Sequence, residues 1–92
     1  MDKELKNKLD EINTYMSKIH IFKNDSINIQ TNLHNKLIHA KDINIISEIN
    51  FNILLEESIY NTLIKDMIIY SYEQQVLIYK LAHYDDPPSK LE

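Results

Sequence analysis

Cysteine, glycine and tryptophan are absent from these 92 residues, and the two prolines sit together near the end of the chain. All ten basic residues are lysine, so arginine is missing too. Each absence removes a class of function. Without cysteine there is neither a disulfide framework nor a thiolate metal site. Without glycine no phosphate-cradling loop can form, because such loops need close backbone approach and positive φ. Without arginine there is no planar fork for bidentate capture of phosphate or carboxylate. The net charge of −4, with lysines scattered among acids, speaks against a nucleic-acid partner, which would require clustered cations. No apolar run approaches the roughly 18 to 20 residues that span a bilayer. The longest candidate, Ile53 to Tyr84, carries Glu56, Glu57, Lys65, Asp66 and Glu73. The opening "MDKELKNKLDEI" is charged and has no apolar core of the kind a signal peptide needs, so a cytoplasmic location is expected.

What remains is a chain rich in helical periodicity. Leu5, Leu9, Ile12, Met16 and Ile19 recur in steps of 4, 3, 4 and 3, which lays one apolar stripe along one helix face. Asp2 is a candidate N-cap, and Glu4 with Lys8 forms a favourably oriented pair one turn apart. The stripe blurs through "FKNDSINIQ", where Asn24, Asp25 and Ser26 could stop one helix and cap another, and returns at Leu33, Leu37 and Ala40. With neither glycine nor proline there, one helix over about residues 3–40, kinked or frayed near Asn24, is the first expectation, and two shorter helices are the second. A break at "HAKDINIIS" follows, with Asp42 as N-cap of a second helix reaching about Tyr84 before "DDPPS" ends it. The chain is expected to be a single all-α domain over residues 1–86, an antiparallel helical hairpin of coiled-coil type, with a disordered tail at 87–92.

Along the second helix, Ile49, Ile53, Tyr60, Leu63, Met67, Tyr70, Leu77, Leu81 and Tyr84 keep a heptad-like register, interrupted by Glu56 and Gln74. That register is expected to face the first helix. Ile46, Leu54, Leu55, Ile59, Ile64, Ile68, Ile69, Val76 and Ile78 are then left over, too many for a solvated side. A helix with apolar residues on two faces needs two neighbours. Either the first helix folds back at Asn24 to make a three- or four-helix monomer, or the hairpin is open and its second helix binds another polypeptide. In the latter case the partner-binding residues are Leu55, Ile59, Ile64, Ile68, Ile69, Tyr72, Val76 and Tyr79. "MIIYSY" and "VLIYKL" are locally strand-like, but "EQQ" between them offers no hairpin turn.

No constellation of catalytic residues is apparent. His34 and His39 are five apart, not the four that sets two helical imidazoles on one metal, and His20 and His83 are isolated. Glu56 and Glu57 are adjacent, so they diverge by about 100° around a helix and cannot work as an acid–base pair. Glu56 and Gln74, lying in the inward register, are instead candidates for setting helix registry. No enzyme activity, cofactor or metal is expected, since a narrow hairpin has little interior in which to build a pocket.

The stretch "ILLEESIYNTLIKDMIIYSYE", Ile53 to Glu73, resembles the second helix of the small needle-subunit chaperones of bacterial type III secretion systems. In both, a Leu-Leu-Glu turn, here Leu54, Leu55 and Glu56, leads into an apolar run ending in closely spaced aromatics, here Ile64, Ile68, Tyr70 and Tyr72. The layout of a long first helix, a short turn with Asp and a second helix is similar too, although this chain extends further at its C-terminal side. The resemblance implies a cytoplasmic, non-enzymatic cochaperone that pairs with a larger helical chaperone or keeps a secreted subunit soluble. Two other readings stand beside it: a homo-oligomeric structural or assembly protein such as a dimeric four-helix bundle, and a small inhibitor or immunity protein acting through charges such as Asp66 and Glu73.

Overall fold

The computed structural model describes residues 2–83. They form two helices, α1 (Asp2–His39) and α2 (Ile43–Ala82), joined by Ala40, Lys41 and Asp42, and no strand occurs among the described residues. The helices run antiparallel: Asn13, Tyr15 and Ser26 of α1 meet Gln74, Tyr70 and Glu56 of α2 respectively. The expected hairpin is therefore the observed fold. The expected tail at 87–92, and Tyr84 as the end of the second helix, lie outside the described residues. A radius of gyration of 20.7 Å describes a rod; a compact chain of this length would have about 12 Å.

The first helix is unbroken, and the two-helix alternative is not realised. In α1 the residues that are not exposed are Leu5, Leu9, Ile12, Met16, Ile19, Lys23, Ser26, Gln30, Leu33 and Leu37, and the series continues at Ala40 in the turn. Their spacing alternates 4 and 3 without a slip. Nothing interrupts the register at "FKNDSINIQ"; only its chemistry changes, from aliphatic to polar. Ser26, proposed as a stop, is the most deeply buried side chain described, because a residue this small lets the helices approach. Its hydroxyl donates to the backbone carbonyl of Glu56 at 3.5 Å and accepts from the Gln30 amide at 3.4 Å. No buried side-chain polar atom among the described residues lacks a partner.

On α2 the facing series is Ile46, Ile49, Ile53, Glu56, Tyr60, Leu63, Met67, Tyr70, Gln74, Leu77 and Leu81, again in steps of 3 and 4. Ile46, assigned from the sequence to the surplus, belongs here: it is half-buried, three residues ahead of Ile49. The α2 start is fixed by Asp42, whose extended backbone (φ −79°, ψ 128°) turns its carboxylate to accept the Asn44 N–H at 2.8 Å. Asp2 is itself helical and acts instead by adding its negative charge to the first turn of α1. Glu4 and Lys8 make the expected ion pair at 3.7 Å, on the surface. The end of α2 comes at Ala82, where the His83 N–H still bonds to the Tyr79 carbonyl at 3.0 Å. Sustained heptads on both helices imply a left-handed wind of one about the other.

Candidate protein-binding surface

The seam between α1 and α2 uses one stripe of each helix, and the two helices treat their remaining surface differently. Opposite its seam, α1 presents mostly polar residues: Asp10, Glu11, Thr14, Ser17, Lys18, Asn24, Asp25, Asn28, Thr31, Asn32 and Asn35, with Ile21 and Ile38 as the apolar exceptions. The same positions on α2 hold Phe51, Leu54, Leu55, Ile68, Ile69, Tyr72 and Tyr79, all exposed, with Leu55 at 52% and Tyr72 at 72%, beside Ser58, Asn61, Thr62, Lys65, Gln75 and Val76. From Phe51 to Ala82 this outer face of α2 carries a single charge, Lys65. A solvated helix face this poor in charge and this rich in large apolar side chains is a candidate interaction surface.

The eight residues read from the sequence as partner-binding do not form one stripe. Leu55, Ile68, Ile69, Tyr72 and Tyr79 lie on the outer face and are exposed, with the Tyr79 ring 4.2 Å from that of His83. Ile59 is also exposed but sits on one flank, on the side where the register places Phe22 and Ile29 of α1. Ile64, half-buried, lies on the opposite flank. Val76 is half-buried and, together with the exposed Tyr72, lines an open groove of about 420 Å³ between the helices. Tyr15 and Tyr70, their rings 5.8 Å apart and nearly parallel, line this groove, and Lys8, Glu11 and Glu73 contribute to its lining. Phe51 and Leu54 were not among the eight, although both are exposed and stand four and one residues before Leu55 on the same stripe; reading the outer positions in heptads would have found them.

The candidates for chemistry are not brought together. Glu56 is half-buried toward the seam while Glu57 is exposed, and His34 and His39 are both exposed on α1. Among the described residues no three His, Asp or Glu side chains cluster as metal ligands would, and no helix is long and apolar enough to cross a membrane. Gln74 donates its side-chain amide to the Asn13 oxygen at 2.8 Å, linking the helices at the end remote from the turn. The chain matches no family model, no curated protein and no solved structure.

Proposed function

We propose that this chain is a protein-binding module that docks the outer face of α2 on a helical segment of another polypeptide. The observation that carries the reading is the contrast between the two helices: both complete a seam, yet only α2 repeats large apolar residues on the side facing away from it. Helix-on-helix docking suits such a face, since residues spaced at i, i+3, i+4 and i+7 anchor in the grooves of a neighbouring helix. In the form implied by the resemblance to needle-subunit chaperones, the chain is a cochaperone and the partner is a larger helical chaperone or a secreted subunit whose apolar stripe is kept from aggregating. The layout of two helices around a short Asp-containing turn supports that form.

The test is Ile68→Asp, a charge at the centre of the second half of the stripe. Far-UV circular dichroism should show unchanged helicity, because Ile68 is outside the seam, and association with any partner, foreign or identical, should be lost. Undiminished association in Ile68→Asp and in Leu54→Asp would remove this face from consideration.

A further inference from the structure

We infer that the outer face of α2 binds a second copy of the same chain, antiparallel, about a two-fold axis passing between Asn61 and Thr62. This rests on the reading of that face as the binding surface and adds the identity and register of the occupant. From Phe51 to Tyr72 the stripe consists of an apolar triplet, Phe51, Leu54 and Leu55, then a polar centre, then a second triplet, Ile68, Ile69 and Tyr72; Tyr79 lies beyond it, level with Asn44 of the second copy. This part of the stripe is a palindrome about the Asn61–Thr62 peptide. Phe51 and Tyr72 lie equally far from that point on opposite sides, as do Leu54 and Ile69, and Leu55 and Ile68.

In a two-fold dimer of antiparallel helices, residues equidistant from the axis on opposite sides meet, so each triplet lands on the other triplet of the second copy. At the polar centre Asn61 meets Thr62 and Lys65 meets Ser58 of the second copy, so the only charge on the stripe is not set against a like charge; Glu57 and Asp66, which come level with each other, lie on opposite flanks outside the stripe. Neighbouring registers are worse. Moving the axis half a heptad toward the C-terminus sets Lys65 against itself and Tyr72 against Ser58; moving it half a heptad toward the N-terminus sets Phe51 against Lys65 and Leu54 against Thr62. Like charges and unpaired polar groups would then be desolvated. The area is of the order a stable dimer needs. The six apolar residues are each between 52% and 72% exposed. At ~200 Å² per large apolar side chain they offer roughly 750 Å² per copy, against about 800 Å² per partner in a standard interface. The polar outer face of α1 stays in water, and a foreign helix would compete with the second copy for the same stripe.

The natural absence of cysteine makes the register directly measurable. Single-cysteine variants of the full chain are treated with a short bismaleimide, and the unmodified chain is sized by light scattering over a range of concentrations. A dimer is expected, with Thr62→Cys bridging efficiently to its own copy. Ile69→Cys alone should not bridge, because the two sites would be about 22 Å apart along the helices. An equimolar mixture of Leu54→Cys and Ile69→Cys chains should bridge as a mixed pair. A monomer at every concentration would overturn the second copy as occupant while leaving the face itself to the partner-binding test of Ile68→Asp. Equal bridging at Thr62 and Ile69 would mean parallel helices and would overturn the register. A dimer that survives both Ile68→Asp and Leu54→Asp would overturn this inference and the proposed function together.

Discussion

Ser26 shows how one small side chain governs the seam. It is 2% exposed and faces the backbone of Glu56, so the space there is set by a hydroxymethyl group. Lys23 and Gln30 flank it at the next seam positions, each half-buried, and Glu56 opposes it, which makes the middle of this hairpin a polar layer between two aliphatic ends. Lysine can occupy such a position by laying its methylenes along the seam with its ammonium in water. Ser26→Leu should force the helices apart and lower stability by about 1–3 kcal/mol, whereas Ser26→Ala should cost about 1 kcal/mol or less. Urea unfolding of the two variants distinguishes these outcomes; a tolerated leucine would mean the helices are not closely packed at this point. From the sequence Ser26 reads as a cap, since serine is favoured at helix ends and its neighbours Asn24 and Asp25 share that preference. Only the opposing carbonyl across the seam supplies the alternative.

At the scale of the element, each helix is defined by its spacing more than by its propensities. "MIIYSY" is rich in strand-favouring residues, yet Met67 and Tyr70 continue the α2 seam from Leu63, and packing on that seam overrides the local preference. Leu63→Asp, placing a charge in the seam, should cost on the order of 3–5 kcal/mol and abolish the cooperative helical signal at room temperature. A folded, cooperative variant would show Leu63 to be outside the seam. The turn has its own local determinant, because Asp42 satisfies the Asn44 N–H that the helix start leaves unpaired. Asp42→Ala should lower stability by about 1 kcal/mol without altering the fold, read as a shift in the urea midpoint at constant slope.

For the whole molecule, the relevant fact is a seam that buries few side chains completely: Ile12, Ile19, Ile49, Ile53 and Leu77 are its buried aliphatics. A rod 69 Å long and 14 Å across its thinnest direction cannot enclose a second layer, so the outer residues of α2 stay in water unless another chain covers them. Association should therefore contribute to stability, and by mass action the melting temperature should rise with chain concentration. Ile68→Asp should melt lower and independently of concentration. Identical concentration dependence in the two proteins, followed by circular dichroism, would separate stability from this face.

The fold class, the two helices, their turn at Asp42 and the excess of apolar residues on α2 follow from the sequence itself, because heptad spacing, the cap and the absence of helix breakers are properties of the linear chain. One helix through Asn24 to Ser26 is also the first expectation from the sequence, but the place of Lys23, Ser26 and Gln30 in the seam is not legible there, since their polarity conceals a spacing that only an opposing helix makes visible. The same holds for the candidate surface. Periodicity identified too many apolar residues for one seam, but which of them face outward, and that Phe51 joins Leu54 and Leu55 while Ile46 leaves for the seam, depended on how α1 sits against α2.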